Sequence, residues 1–112
     1  MTMLYVDFST GIKDYKLRLN TRNTVVLEKQ LGCNPIAIFG DGNTLPSVTT
    51  MVTILHASLQ PYHHGISLND AYDIFDAYLD NGNTITDFIS VIVEIYKVSG
   101  LIAKDSGEEG KN

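Results

Sequence analysis

Apolar and charged residues alternate along residues 14–20, as in a strand with one face buried and the other in water. The apolar positions of this segment are Tyr15, Leu17 and Leu19. Residues 3–8 are also rich in strand-forming side chains, and the Ser-Thr-Gly at 9–11 is typical of a turn. We therefore expect an antiparallel hairpin, which must pack on other elements because two strands alone are marginal in water.

Beyond residue 20 the apolar residues recur three and four positions apart, which predicts helices. The residues that could cap their starts are Asn20 or Thr21, Thr44, Ser67 and Thr84, and those that could end them are Gly32, Pro61, Gly82 and Gly100. The start at Thr44 would place Pro46 in the first turn, where proline is tolerated. Aspartates three positions after Ser67 and Thr84 complete capping boxes. A short helical turn is predicted after Pro35.

Each predicted helix has an apolar face that would pack on the core. The faces are Leu27 and Leu31 with Val25 or Val26 in the first helix, Val48, Met51, Val52, Leu55 and Leu59 in the second, and Leu68, Ala71, Tyr72, Phe75, Tyr78 and Leu79 in the third. The fourth helix is apolar on nearly all sides between Phe88 and Tyr96. We therefore predict that the fourth helix is the central and most buried one.

These elements predict one α+β domain over residues 1–103, mostly α-helical with an N-terminal β-hairpin. A chain of 112 residues can bury a modest core without disulfides or metals. Its 44% hydrophobic and 19% charged residues are ordinary for a globular protein. Residues 104–112, KDSGEEGKN, are polar and are predicted to form a flexible C-terminal tail.

Charge and composition argue against several classes of protein. Eight basic and 13 acidic residues give a net charge of −5, which lacks the electrostatic footprint of a nucleic-acid binder. No apolar run approaches the roughly 18 residues of a membrane span, and the N-terminus lacks the pattern of a secretory signal. The single cysteine, Cys33, fits a reducing cytoplasm and is expected to be a small semi-buried residue, not a nucleophile.

Three histidines, His56, His63 and His64, lie close together and raise the question of a metal site. Pro61 interrupts the helix that would align His56 with His63. The other two are adjacent in sequence and therefore point in different directions. We expect His63, His64 and Gly65 to form the connection of an αα-hairpin, where a histidine near a helix C-terminus also interacts favourably with the helix dipole.

Four aspartates follow at helical spacing, opposite the aromatic residues: Asp70, Asp73, Asp76 and Asp80. This pattern usually marks a solvated helix face. A calcium loop with Gly82 at its sixth position would need oxygen ligands at Ala77 and Phe88, and neither side chain has one. No Gly-rich phosphate loop, Gly-x-Ser-x-Gly elbow or CxxC pair occurs. No catalytic residue, metal or cofactor is therefore predicted, and an enzyme is not expected.

Aromatic residues provide the candidate binding site. The chain has six tyrosines and four phenylalanines, which a core of this size cannot fully enclose. Tyr5, Tyr62 and Tyr72 lie at the hairpin or at the αα connection and not in the middle of an apolar face. Tyrosine is favoured at interfaces where one end of the side chain stays in water. We therefore predict that these three residues contact a protein partner or a second copy of the chain.

Several short segments stand in a recognisable order. They are Leu17-Arg18-Leu19-Asn20, Leu27-Glu28 with Leu31-Gly32, the helix from Leu45 to Gln60, His63-His64, and Ile66-Ser67 with Asp70. In this order the chain resembles the tail assembly chaperones of tailed phages, including the related proteins of gene-transfer agents, over about residues 14–100. The motifs are short and structural. Many members carry a tryptophan in the long helix, and this chain has none.

The resemblance implies a non-catalytic protein of the host bacterial cytoplasm. Such chaperones coat the long, largely helical tape measure protein before the tail tube polymerises, and they are absent from the mature virion. The tail tube protein and a second copy of the chain are further candidate partners, whereas nucleic acid and membranes are not. The alternatives are a structural head–tail joining or tail-completion protein and a small regulatory adaptor.

The resemblance also bears on residues 104–112. In the chaperone family, a ribosomal frameshift near the end of the reading frame commonly fuses a second, partner-binding domain to the first. The polar residues at 104–112 would then be the linker to that domain, because glycine, serine and like charges keep a tether extended. Physical chemistry alone favours the alternative that residues 104–112 are an ordinary frayed terminus.

Overall fold

The chain begins with two strands and continues with helices in the computed structural model, which describes residues 4–39 and 45–103. The elements are β1 (Val6–Ser9), β2 (Asp14–Leu17), α1 (Thr21–Leu31), a 3₁₀ helix (Pro35–Phe39), α2 (Val48–Leu59), α3 (Leu68–Asp80) and α4 (Ile85–Val98). This order confirms the predicted α+β class with an N-terminal hairpin. None of the described helices is both long and apolar enough to cross a membrane. The predicted tail, residues 104–112, lies outside the described residues.

The two strands pair antiparallel, with Val6 opposite Leu17. Leu17 and Leu19 are buried, so the alternating pattern identified the inner face of β2 correctly. Gly11 at the hairpin tip has a φ of 83°, a conformation that glycine adopts without strain. A Cβ atom at this position would overlap with the side chain of Asn81. The tip therefore closes directly onto the C-terminal end of α3.

The predicted caps bound three of the helices. At the start of α1 the Asn20 side chain accepts a hydrogen bond from the Asn23 backbone N–H, and Gly32 ends the helix with a φ of 74°. Ser67 and Thr84 begin α3 and α4 with complete capping boxes. In each box the aspartate three positions later accepts a hydrogen bond from the backbone N–H of the cap residue. Each box therefore satisfies two N–H groups that the helix itself leaves without partners.

α2 begins later than predicted, with Ser47 and not Thr44 as its N-cap. The Ser47 hydroxyl oxygen accepts a hydrogen bond from the Thr50 backbone N–H at 3.1 Å. Pro46 thus precedes the helix instead of lying in its first turn. The physical reason is that a proline disfavours helical backbone at the residue before it, here Leu45, while a serine directly after it can cap. Thr44 itself lies outside the described residues.

The most buried helix is α2, so the prediction that α4 is central was wrong. α2 buries Met51, Val52, Ile54, Leu55, Ala57, Ser58 and Leu59, whereas α4 buries Phe88, Ile92, Ile95 and Tyr96. The apolar pattern of a helix shows how much of it can be buried, but the number of neighbours decides how much of it is. α2 packs against α1, α3, α4 and β2, and α4 packs chiefly against α2 and β1.

Some residues predicted to lie on apolar faces are exposed instead. They are Val25, Val26, Val48, Leu68 and Tyr72. The two valines of α1 are one and two positions from Leu27, and residues at these spacings do not share a helix face with it. Val48 and Leu68 are the first residues of their helices. Cys33, predicted to be semi-buried, is exposed because it lies just past the end of α1.

Four aromatic rings join the hairpin to α3 and α4. Phe8 of β1 stacks on Tyr78 of α3 with ring centroids 4.7 Å apart. Phe88 of α4 packs edge-to-face on Phe8 at 5.9 Å and on Phe75 at 5.1 Å. Such pairs contribute about 0.5–1.5 kcal/mol each beyond the burial of their surface. The cluster therefore holds the hairpin at a fixed position on the helices.

Candidate functional site

Two of the three candidate tyrosines meet on the surface of the protein, together with Lys16. The rings of Tyr5 and Tyr62 pack edge-to-face, with centroids 5.5 Å apart and planes at 69°. Lys16 Nζ lies 4.8 Å from the centroid of the Tyr5 ring and 5.7 Å from that of Tyr62. Tyr62 is 41% exposed and Tyr5 is half-buried. We call Tyr5, Lys16, Tyr62 and the adjacent His63 the tyrosine–lysine surface.

Strand pairing places Lys16 beside Tyr5. Lys16 lies opposite Asp7 in the hairpin, and residues two apart on an extended chain share a face, so Tyr5 is the diagonal neighbour of Lys16. Tyr62 comes from the connection between α2 and α3. A cation over an aromatic ring is worth about 0.5–1 kcal/mol at an exposed site, so these contacts restrain the lysine side chain.

His63 fastens the α2–α3 connection to the hairpin. Its Nε2 accepts a hydrogen bond from the Lys16 backbone N–H at 3.0 Å, and its ring packs edge-to-face on Tyr15 at 5.2 Å. Two residues further along, the Arg18 N–H donates to the Ser58 carbonyl at 2.9 Å. These bonds occupy an edge of the sheet that would otherwise be open. Sequence reasoning placed His63 in the connection but missed this bond, because its partner lies 47 positions away.

The hydrogen bond from Lys16 requires a neutral His63. Burial, and then the positive charges of Lys13 and Lys16, lower the pKa of His63 below its ordinary value of 6.5. As the pH falls, the His63 side chain of the unfolded chain therefore binds a proton before that of the folded protein does. The contribution of His63 to stability is therefore complete above the unfolded pKa and is lost as the pH falls through the folded pKa.

We expect the melting temperature to fall more steeply from about pH 7.5 to about pH 5.5 in the wild-type protein than in the His63→Gln variant. Glutamine keeps an acceptor for the Lys16 N–H but cannot be protonated in this range. Thermal melts of both proteins at closely spaced pH values would measure the difference, and all other titrating groups are common to the two. Parallel pH profiles would contradict this expectation.

The other candidate residues do not join the tyrosine–lysine surface. Tyr72 lies on α3, is 45% exposed, and makes no ring contact with Tyr5 or Tyr62 in the part of the chain that the structure describes. His56 is in the last turn of α2, and His64 is exposed in the connection. Within residues 4–39 and 45–103, no group of three His, Cys, Asp or Glu side chains could hold a metal ion.

An open groove of about 410 Å³ runs along the tyrosine–lysine surface. It is lined by Asp7, Asp14, Tyr15, Lys16, Tyr62 and His63. Its walls thus combine aromatic faces with one lysine and two aspartates. Tyrosine offers a large contact area at low entropic cost while its hydroxyl stays hydrated. The tyrosines of this lining are of a residue type that is enriched where proteins recognise one another, whereas its aspartates and lysine are typical of the polar rim of such surfaces.

Comparison with known proteins gives a family match. The model of DUF6096, a family of unknown function, matches residues 6–112. No curated protein and no solved structure matches the chain. The matched region begins one residue after Tyr5 and includes the other members of the tyrosine–lysine surface.

Proposed function

The chain belongs to the DUF6096 family, whose function is unknown, and we propose that it is a non-catalytic tail assembly chaperone of a tailed phage or prophage. In this role it binds the tape measure protein in the host cytoplasm before the tail tube polymerises, and it is absent from the mature virion. The observation that carries the proposal is the pair of neighbouring, partly exposed tyrosines at residues 5 and 62. The resemblance of about residues 14–100 to the chaperone family supplies the identity of the partner.

Exposed apolar side chains support a chaperone role. Those on the described part of the chain are Leu4, Ile12, Val25, Val26, Ile36, Leu45, Val48, Tyr62, Leu68, Tyr72 and Ile85. A tape measure protein outside its tube exposes helical apolar stripes, which aggregate unless they are covered. A chaperone covers them with apolar surface of its own, in the manner of a helix bound in a groove.

A chaperone must also keep its complex with the partner in solution, and the net charge of the chain favours this. A complex that covers an apolar partner must itself stay dispersed, and a net charge well away from zero favours this. The chain carries a net charge of −5 over 112 residues. Acidic residues promote solubility more effectively than basic ones. The exposed aspartates of α3 contribute to this effect.

We expect the tape measure protein encoded in the same genome to stay in the soluble fraction when it is co-expressed with this chain, and to aggregate when it is expressed alone. The physical reason is that the bound chain covers apolar stripes that otherwise associate with one another. The soluble fraction would be measured on gels, and a tag on the tape measure protein should retain this chain on an affinity column. Equal soluble amounts with and without the chain would refute the proposal.

The composition of purified particles separates the chaperone from its structural alternative. A chaperone leaves before the tail is complete, so mass spectrometry of finished particles should not detect the chain. A head–tail joining or tail-completion protein would be present in every particle. A regulatory adaptor would be absent from particles as well, but it would not keep the tape measure protein in solution.

A further inference from the structure

A second groove lies between the hairpin tip and α3. Ile12 forms its wall on the hairpin side and is 86% exposed. Ala77 and Ile74 line it on the α3 side. The groove has two adjoining parts of about 320 and 220 Å³, which share Ile12, Asp73 and Ala77 in their walls. An apolar side chain of a partner could therefore contact Ile12 and Ala77 at the same time.

The turn holds Ile12 in this outward position. Thr10 is buried, and its hydroxyl oxygen accepts a hydrogen bond from the Lys13 backbone N–H at 3.2 Å. The tip is also fixed against α3, since Gly11 lies directly on the Asn81 side chain. Turn positions are usually occupied by glycine, proline, asparagine, aspartate or serine, so an isoleucine is unusual here. An isoleucine held out by a fixed turn is thus available to a partner without any rearrangement.

A row of carboxylates borders the same groove. Asp73, Asp76 and Asp80 line it and are exposed, which confirms the predicted solvated face of α3. Their spacing of three and four residues puts them on one helix face, and they span about 10 Å. Among residues 4–39 and 45–103, no lysine or arginine forms an ion pair with any of them. Lys13 lines the smaller part of the groove, with its Nζ 5.3 Å from the centroid of the Tyr15 ring. Three carboxylates therefore border a groove with one lysine, and the border keeps a net negative charge.

We propose that the groove binds an amphipathic helical segment of the protein partner that carries lysines or arginines beside its apolar stripe. Its apolar side chains contact Ile12 and Ala77, and its basic residues, also three and four positions apart, lie opposite Asp73, Asp76 and Asp80. Charge complementarity selects this occupant, because juxtaposed like charges cost several kcal/mol and complementary ones fix the register. The inference rests on the proposed function for the helical nature of the partner, whereas the basic charge follows from the groove alone.

Two other occupants fit the groove less well. A second copy of this chain carries a net charge of −5, so its surface is on average repelled by the aspartate row. A metal ion needs ligands that converge on one point, but no three acidic, histidine or cysteine side chains do so among the described residues. A basic helix does not need the aspartates to converge. Its lysines or arginines, three and four residues apart, can each lie opposite one aspartate.

The test uses a designed helical peptide of about 20 residues with a leucine stripe flanked by lysines at i, i+3 and i+7, and a twin with glutamates in their place. We expect the wild-type chain to bind the lysine peptide, with an affinity that falls as salt is added, and not the glutamate twin. Asp73→Asn/Asp76→Asn should weaken binding roughly fivefold. Ile12→Ser should weaken it about tenfold by removing the apolar contact.

A matched control removes two charges elsewhere. Glu28→Gln/Glu94→Gln changes the net charge by the same amount at two exposed positions outside the groove. Glu94 also forms an ion pair with Lys97 at 3.2 Å, and an exposed pair of this kind contributes no more than about 1 kcal/mol to stability. We expect this variant to bind the lysine peptide as the wild-type chain does. An equal loss in both double variants would overturn the proposal by showing that only overall charge attracts the peptide. Full binding by Ile12→Ser would overturn it by showing that the peptide makes no contact with Ile12. All these positions are exposed, so melting temperatures should confirm that each variant folds.

The same variants, tested with the tape measure protein, separate this inference from the proposed function. If Asp73→Asn/Asp76→Asn binds the tape measure protein as tightly as the wild-type chain does, the groove proposal fails and the chaperone role stands. If the lysine peptide binds in the groove but the tape measure protein aggregates in the presence of the chain, the groove proposal stands and the chaperone role fails.

Discussion

Replacing Ile92 with aspartate is expected to unfold the domain. Ile92 lies on α4 and is 0% exposed, so the new carboxylate would be surrounded by apolar side chains and would have no partner. Burying an unpaired charged or polar group costs several kcal/mol. A domain of this size has a total stability of only about 5–15 kcal/mol. We expect the cooperative thermal transition and most of the helical circular dichroism signal to disappear at room temperature.

Two further variants test whether the buried charge causes the unfolding, as opposed to the loss of the isoleucine side chain or any change of charge. Ile92→Val leaves a small cavity without a charge and should cost about 0.5–1.5 kcal/mol, with a clear thermal transition retained. Asp73→Asn, on the exposed face of α3, should change the free energy of unfolding by no more than about 0.5 kcal/mol. Similar melting of Ile92→Asp and Asp73→Asn would show that the assignment of helix faces is wrong.

Capping residues and apolar patterns predicted the elements of this fold well, because each depends only on residues a few positions apart. A serine or threonine and the aspartate three positions later satisfy backbone N–H groups within one turn, so Ser67 and Thr84 could be identified without tertiary information. The same holds for Gly32, whose left-handed conformation ends α1 wherever the helix is placed. The alternation of Leu17 and Leu19 with charged residues likewise indicates a strand face before its packing is known.

Burial could not be ranked from the same signals, because it depends on the arrangement of the helices. α4 has the denser apolar pattern, yet α2 is more buried since it lies among more elements. Ser58 illustrates the limit: it is fully buried although it is polar. Its hydroxyl donates to the Leu55 carbonyl, and its own carbonyl accepts from the Arg18 N–H. The first bond is local, but the second exists only because β2 packs beside α2.

The candidate site, too, could be predicted from the sequence only in part. Tyr5 and Tyr62 could be selected from sequence, because each lies at the boundary of an element where a ring is only partly enclosed. Their contact with each other could not be predicted, because it depends on how His63 joins the connection to the edge of β2. Tyr72 met the same sequence criterion, but it lies apart from them on α3. Position along the chain therefore indicated which rings are only partly enclosed, whereas the contact between two of them is visible only in the fold.

Under the proposed function, replacing both Tyr5 and Tyr62 with alanine is expected to weaken binding of the tape measure protein by about 2 kcal/mol or more, roughly thirtyfold in Kd. The two rings form one continuous apolar contact, and tyrosines at the centre of an interface contribute most of its binding energy. Their mutual contact and the two contacts with Lys16 are lost as well, so the domain itself should lose about 1–2 kcal/mol and still fold. Affinity would be measured by titration at a temperature well below the melting point of the variant.

Tyr72→Ala is the matched comparison, since it removes one exposed ring that has no aromatic neighbour among the described residues. We expect it to weaken binding far less than the double variant does, because a single ring at the margin of an interface contributes little. Tyr5→Phe/Tyr62→Phe keeps the rings and should retain most of the affinity, which separates the loss of apolar contact from the loss of hydroxyl hydrogen bonds. If the double alanine variant loses folding and binding to the same extent, the two tyrosines are part of the core and not of a binding surface. If Tyr72→Ala proves as damaging as the double variant, the tyrosine–lysine surface is not the principal site of the partner.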